Sequence, residues 1–521
     1  MSEKTNAGLN RAKPYQLMLF PLNNGATNVY FVLVLSYVLN FGSGVLGMAM
    51  VFVSALITGM RVCDAVTDPI IGALIDKTNG KFGKFRPYMV LGNLIMASSI
   101  LTLYVITPMI PETMMPLRYA AFIVLYFVWV IGYTFQTSCT RSGQTVLTND
   151  PKQRPMFTLF NTVGSLVGMG AMQVLAPIVG EAQGGYNTAG FFATLAPVGV
   201  TISIVLTVLA VIGIWEKDQP KYFGVGGGNQ EKIKVSEYVQ IIKSNQPMQR
   251  LMVAGAGCKL ALAIATHTAV LCMLYGSMMG NYDGLYLPMM VLGYVFSAPF
   301  FVLTIRTSQK HGQKASLMRY VAVAFVCYIG VLALLLLWRQ GDPAWNLSIY
   351  TGKLFGEGFK LSINLYTVLF IAFFGVGYGA YYSTADMPIP MVADCSDYET
   401  YASGKYIPGI MGTLFSLVDK LVSSLASLVV TIAVSFIGLS SIPDQYSPYV
   451  PGMNWVVIAL FCIIPMLAWA ATLLAMRGYA LTGEKMKTIQ AVNAARKEAV
   501  ARGMSLEQAM RTITDETVKT G

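Results

Sequence analysis

The sequence predicts an all-α membrane protein with twelve transmembrane helices arranged in two six-helix halves. Of its 521 residues, 55% are hydrophobic and only 12% are charged, and the mean hydropathy is +0.57. A soluble globular chain carries about 25% charged residues. Apolar runs of roughly 18 or more residues, long enough to cross a hydrocarbon core, recur from one end of the chain to the other. The membrane is therefore predicted to hold the whole fold.

The apolar runs predict the position of each span. The twelve spans lie near residues 27–47, 49–75, 88–107, 118–147, 157–180, 190–214, 250–279, 285–306, 316–338, 364–392, 407–438 and 453–478. They divide the chain into an N-terminal half (1–215), a linker (216–249), a C-terminal half (250–478) and a charged tail (479–521). The tail has apolar residues at helical spacing, which predicts that it lies on the membrane surface or on the loops.

Lysine and arginine concentrate in alternate short loops. They fall within residues 77–86, 152–154, 232–250 and 306–319, and the positive-inside rule places those loops and both termini in the cytoplasm. The loop 339–363 departs from the pattern because it carries three basic residues on the other side. The net charge of +11 thus orients helices in the bilayer and does not indicate nucleic acid. The polar first 25 residues predict no signal peptide, so we expect a multi-pass protein of the plasma membrane.

The sequence contains none of the common disulfide, metal-binding or enzyme motifs. The seven cysteines form no CxxC pair and no cluster with histidine, which argues against a disulfide framework or a structural metal site. No P-loop, HExxH or GxSxG motif indicates an enzyme. We expect no cofactor other than a coupling ion.

A short repeat supports the division into halves. The segment Pro69–Asp76 before Gly83 resembles the segment Pro299–Arg306 before Gly312, and in each half the segment leads into the basic turn after the second span. Two parallel six-helix halves with a short basic loop after the second helix are the arrangement expected of major-facilitator transporters.

Charged residues inside the membrane are the strongest functional signal. Each one costs about 2.5 to 3.5 kcal/mol near the bilayer centre and needs a partner or a function. Arg61, Asp64 and Asp68 share one face of the second span. Two close carboxylates repel each other, and a bound Na⁺ or a shared proton relieves the repulsion. A structural alternative is that the acids only neutralise Arg61 and a second buried cation such as Lys420.

The fourth span ends in a polar run over residues 133–141 that is too long to face lipid and should line a cavity. Arg141 could bind an anionic substrate group there, or it could pair with the acids or reach the interface. His267, eight residues after Lys259, is interpreted as a hydrogen-bonded core residue rather than a proton carrier. Nearby aromatic residues could stack on sugar rings or serve only as packing: Tyr30, Tyr37, Trp129 and Tyr133.

Three motifs resemble one known family. They are Arg-x-x-Asp-Ala-x-x-Asp-Pro at 61–69, Gly-Lys-Phe-Gly-Lys-Phe-Arg-Pro at 80–87 and Met-Val-Ala-Asp-Cys-Ser-Asp-Tyr-Glu at 391–399. Together they resemble the glycoside-pentoside-hexuronide:cation symporters of the major facilitator superfamily, over nearly the whole chain. The resemblance implies a carrier of sugars or glycosides that is coupled to H⁺ or Na⁺.

The resemblance also implies roles for individual residues. The predicted cation-binding residues are Asp64, Asp68, Thr134 and Thr137. The predicted substrate-binding residues are Asn28, Tyr133, Arg141 and Lys420. The predicted coupling and gating residues are Arg61, Lys420, Asp394, Asp397 and Glu399.

The chain departs from the family pattern at positions that bear on the ion and the substrate. A third acid of the family falls at Thr137, and a sugar-binding acid falls at Asn28. Fewer carboxylates weaken a site for Na⁺, which is a hard cation, so a proton becomes at least an equal candidate. An aromatic residue of the family falls at Arg141, and the less acidic lining favours an acidic sugar or a glycoside conjugate.

Two alternatives to sugar symport stay open from the sequence. One is a carrier of an amphipathic or lipid-like conjugate, because motifs of this fold do not fix the substrate. The other is a membrane enzyme or a transporter-like sensor without flux. In every case the expected partners are a small solute and the lipid bilayer, with no nucleic acid.

Overall fold

The all-α architecture is confirmed by a computed structural model. It describes residues 11–78, 80–148, 154–219, 244–352, 358–385, 387–404 and 408–515. Within these ranges twelve helical segments are long and apolar enough to cross a membrane. Contacts divide the chain into two compact units, the first comprising 1–230 with 434–448 and the second comprising 231–433 with 449–521.

The first unit contains six membrane helices. They are α1 (Pro14–Val45), α2 (Met50–Lys77), α3 (Arg86–Met109), α4 (Met115–Leu147), α5 (Arg154–Gln183) and α6 (Ala189–Ile214). The segment 434–448 lies on this unit, where the Asn187 amide donates to the Ile442 carbonyl at 2.8 Å. The first unit therefore takes in a loop from late in the sequence.

The second unit contains the remaining membrane helices and the tail. They are α7 (Gln246–Ala265), α8 (Thr268–Met278), α9 (Tyr282–His311), α10 (Gln313–Leu337), α11 (Leu365–Thr384), α12 (Pro388–Ser403), α13 (Pro408–Ser435), α14 (Met453–Arg477), α15 (Gly483–Ala501) and α16 (Leu506–Thr512). A short antiparallel pair, β1 (Tyr350–Thr351) and β2 (Lys360–Leu361), lies between α10 and α11.

Three predicted spans differ from the observed helices. The first helix begins at Pro14 rather than near residue 27, because its polar residue Asn23 is buried and donates to the Gln136 carbonyl and the Thr140 hydroxyl of α4. The tenth span ends at Thr384 rather than near 392, since Pro388 starts a separate helix. The seventh span is interrupted before α8, where His267 Nδ1 accepts the Ala269 N–H at 3.3 Å. His267 is thus a helix cap, consistent with its structural interpretation.

The two repeated turns share one backbone feature. Gly83 has φ +90° and Gly312 has φ +87°, a region that residues with a Cβ rarely adopt. A Cβ on Gly83 would also collide with the carboxylate of Asp218. Glycine is therefore required at the turn that follows the second membrane helix of each unit.

Candidate functional site

Asp64 is the most buried acid among the predicted site residues. Only 1% of its surface is exposed, and its Oδ1 lies 2.8 Å from the Thr134 hydroxyl, which donates to it across the α2–α4 interface. The Arg61 Nη1 lies 3.9 Å from the other carboxylate oxygen, one helical turn away. A buried charge needs such compensation. The structure therefore joins three of the predicted residues in one cluster.

Thr67 extends this cluster and was missed in the sequence. Its hydroxyl lies 3.0 Å from the Asp64 carbonyl and 3.4 Å from the Thr134 hydroxyl. The Thr134 hydroxyl also lies 3.0 Å from the Val130 carbonyl, so its single proton can serve either that carbonyl or Asp64. The Thr134 hydroxyl thus contacts the buried carboxylate, and the Thr67 hydroxyl contacts that of Thr134. The spacing of three residues from Asp64 was the available signal for Thr67.

The other predicted cation ligands are placed differently. Asp68 follows Asp64 by one turn of α2 and is half-buried. The Thr137 hydroxyl lies 3.0 Å from the Tyr133 carbonyl and 3.2 Å from the Thr134 carbonyl, so it bonds to its own helix. Ligand roles for Asp68 and Thr137 therefore stay predictions.

A buried amide and hydroxyl network fixes the position of α4. The Gln136 side chain accepts from the Thr27 hydroxyl at 3.0 Å and donates to Thr207 at 3.1 Å. Asn93 donates to Thr207 at 2.9 Å, and Asn23 donates to the Gln136 carbonyl at 3.1 Å. These bonds tie α1, α3, α4 and α6 together, and buried polar groups of this kind are costly to leave unpaired. The network holds the helix that presents Thr134 to Asp64.

Aromatic rings line α4 on the turns before Thr134. The ring centroids of Tyr126 and Trp129 are 5.7 Å apart, and those of Trp129 and Tyr133 are 5.3 Å apart. The indole is buried, and among the described residues no acceptor bonds to its Nε1–H. Buried N–H groups normally have a partner. On α1, the half-buried Asn28 amide donates to the Asn24 carbonyl at 2.8 Å.

Two further substrate candidates remain predictions. The backbone of Arg141 belongs to α4, but its side chain lies outside the described residues. Lys420 is half-buried in α13 of the second unit, next to Asp419.

The three predicted gating acids all lie on α12. Glu399 is buried and accepts from the Asn245 amide at 2.9 Å. Burial, and then the nearby charge of Asp397, raise the pKa of Asp394 above its ordinary value. The Asp397 carbonyl accepts from Asn493 at 2.9 Å. These acids are therefore positioned by contacts from other parts of the second unit.

The tail helix α15 packs against α12, so the tail lies on this helix rather than on the membrane surface alone. Arg496 donates to the Tyr401 carbonyl at 2.7 Å and to the Ile513 carbonyl at 3.1 Å. The Tyr401 hydroxyl donates to Asp515 at 2.8 Å, and this bond to the carboxylate is the main reason that the pKa of Tyr401 is raised. Arg496 thus joins α15 to α12 and to the segment that follows α16.

Replacing Arg496 with Ala is expected to release the tail from α12. The change removes two charge-assisted bonds, each worth about 1.5 to 3 kcal/mol. Limited proteolysis of the purified protein should then cleave within 483–515 several times faster. Arg502→Ala is the matched control, because Arg502 is exposed and pairs only with Glu498 of its own helix among the described residues. Equal cleavage of the two variants would contradict the assignment.

Comparison with known proteins agrees with this architecture. The family model described as MFS/sugar transport protein matches residues 21–483. The uncharacterized symporter YjmB of Bacillus subtilis (strain 168) is 25% identical over 445 residues, 83% of this chain and 85% of that protein. The lactose permease of Lactobacillus delbrueckii subsp. bulgaricus is 29% identical over 189 residues, 34% of this chain and 29% of that protein.

A solved structure supports the fold alone. The nucleoside transporter NupG superposes with a TM-score of 0.55 at 12% identity and covers 90% of this chain and 100% of its own. The family match extends over most of the chain, from α1 to the start of the tail. This protein therefore belongs to the family of MFS/sugar transport proteins and is a transporter.

Proposed function

We propose that this protein is a symporter that moves a sugar or glycoside together with a proton by alternating access. The observation that carries the proposal is the buried carboxylate of Asp64, which faces Thr134 at 2.8 Å and Arg61 at 3.9 Å. An ionisable group at this depth marks an ion pathway in membrane proteins. The family supports the sugar class of the substrate.

The composition of the cluster favours a proton over Na⁺. Arg61 balances one of the two negative charges of Asp64 and Asp68, so a single proton neutralises the remainder. Na⁺ would need several oxygen ligands besides, and the hydroxyl of Thr137, which stands where the family has a further acid, bonds to carbonyls of its own helix. No group of three or more acidic, histidine or cysteine side chains that could hold a metal occurs in the described residues.

The polar and aromatic groups beside α4 suit a sugar. Tyr133 is half-buried at the end of the aromatic series and offers a flat face to an apolar side of a sugar ring. The Trp129 N–H could donate to a sugar hydroxyl, which would satisfy a buried donor. Asn28 adds an uncharged amide. This set would bind a sugar, a glycoside or a sugar acid without a carboxylate from the protein.

We propose that the loops rich in lysine and arginine face the cytoplasm, in the plasma membrane. The turns that contain Gly83 and Gly312 are both basic, and the same side would hold both termini. In this orientation the acids of α12 and the tail helices lie on the cytoplasmic side.

Uptake by proteoliposomes tests the proposed function. A radiolabelled panel of disaccharides, glycosides and uronides should include one solute that accumulates when the lumen is alkaline, whereas a Na⁺ gradient at equal pH should drive no accumulation. Dissipating the proton gradient with an uncoupler should leave only equilibration. Accumulation driven by Na⁺ alone would refute the proton as the coupling ion. Transport that is independent of both gradients would refute symport.

A further inference from the structure

A groove lies on the surface of the second unit. Its volume is about 430 Å³, and it lies between the first turns of α7 and the last turns of α14. The lining residues are Gln249, Arg250, Val253, Ala471, Leu474 and Ala475. Val253 is 49% exposed and Leu474 is 66% exposed. Because both helices span the membrane, these apolar side chains face lipid acyl chains.

Arg250 marks the polar end of this groove. Its guanidinium lies against the backbone of Gly478, at the position that a Cβ would occupy. The side chain is half-exposed, and within the described residues no hydrogen bond or ion pair is found for it. A guanidinium carries five N–H donors in a planar fork that matches phosphate oxygens. The groove thus presents an available cation beside an apolar surface.

The residues that line the groove include no acid, and further basic residues lie at this end of α14, although Glu399 of α12 bonds to Asn245 just before α7. Arg477 is exposed at the end of α14, and Lys314 donates to its carbonyl at 3.3 Å and to the Tyr479 carbonyl at 2.8 Å. The stretches 244–265, 306–322 and 463–483 contain no aspartate or glutamate. The groove end is therefore complementary in charge to an anion, and its apolar lining is complementary to a hydrocarbon chain.

We propose that this groove binds one anionic phospholipid, with its phosphate on Arg250 and Arg477 and an acyl chain along Val253 and Leu474. Basic pockets between membrane helices on the cytoplasmic side are suited to anionic headgroups. A bidentate guanidinium–phosphate contact would select the headgroup rather than the chain. In the proposed orientation the lipid comes from the inner leaflet.

Native mass spectrometry of the full-length protein, titrated with phosphatidylglycerol, tests the proposal. One phosphatidylglycerol should bind more tightly than phosphatidylcholine. Arg250→Gln should weaken that site about fivefold, since one basic residue near a membrane surface contributes about 1 kcal/mol. Gly478→Ala should weaken it similarly without changing charge, because the added Cβ displaces the guanidinium while φ −89° suits alanine. Arg319→Gln, an exposed residue of α10 outside the groove, is the matched control and should bind as the native protein does.

Three results would overturn the proposal. Equal retention of phosphatidylglycerol and phosphatidylcholine would show that the headgroup is not recognised. Unchanged binding by both Arg250→Gln and Gly478→Ala would place any bound lipid elsewhere. Full competition by millimolar inorganic phosphate would identify a site for a soluble anion instead. All the variants lie at the surface, and a monodisperse peak for each confirms folding.

Discussion

Replacing Asp64 with Asn is expected to abolish concentrative uptake while leaving the protein folded and inserted. The amide keeps an oxygen that can accept the Thr134 hydroxyl, which lies 2.8 Å from Oδ1 in the native protein. The side chain loses its ability to take up and release a proton. Arg61 then loses the carboxylate that lies 3.9 Å from its Nη1. Asp68 remains to balance the positive charge of Arg61. We therefore expect a folded carrier that has lost its ion coupling.

Two assays distinguish loss of coupling from loss of the carrier. Accumulation driven by a pH gradient should fall to the level of protein-free vesicles in Asp64→Asn, and likewise in Asp68→Asn, while counterflow exchange of preloaded sugar persists. Glu216→Gln is the control acid of the first unit, since Glu216 is exposed and pairs with Lys13 at 2.9 Å. Normal accumulation by either membrane variant would contradict the assignment of that residue to the ion site.

The membrane fold was predictable because its main constraint is composition. Backbone groups must be satisfied within each span, so long apolar runs give helices directly. The predicted ends of the spans were wrong where hydrogen bonds between helices or a proline override that rule. Asn23 and Thr27 gave α1 a polar start, yet their hydrogen bonds to α4 bury them inside the unit. Pro388, in contrast, ends an apolar stretch that composition alone would continue.

The charged members of the candidate site were predictable from composition, whereas Thr134 was predictable only from the resemblance to a family. Arg61 and Asp64 were identified because ionisable groups are rare and costly in a membrane. Thr67 and Gln136 are uncharged, and their roles depend on which helices meet. Thr137 was assigned from a family position, whereas its hydroxyl is engaged by the carbonyls of its own helix. Helix pairing, which spacing along one helix cannot give, decides these cases.

Asp218 was missed entirely, although the structure places it at the centre of the turn between α2 and α3. Its carboxylate is fully buried and accepts the backbone N–H groups of Lys84 at 2.7 Å, Phe85 at 3.0 Å and Arg86 at 2.9 Å. These donors include the N-terminus of α3, where a negative charge is stabilised by the helix dipole. The Arg86 side chain adds an ion pair at 3.4 Å and stacks over Trp215.

Asp218→Ala is therefore expected to destabilise the first unit strongly. Three backbone N–H groups and the Arg86 charge would lose their acceptor, and breaking a buried pair of this kind costs about 3 to 5 kcal/mol. Unfolding in increasing denaturing detergent, followed by tryptophan fluorescence, measures the change. The stability of Asp218→Asn should lie between that of the native protein and that of Asp218→Ala, because the amide keeps one acceptor oxygen but carries no charge. Lys13→Ala is the control: it breaks an exposed pair with Glu216 and a contact with the Tyr15 ring, and it should leave the transition nearly unchanged. If Asp218→Ala and Lys13→Ala unfold at the same detergent concentration, the Asp218 carboxylate does not anchor this turn.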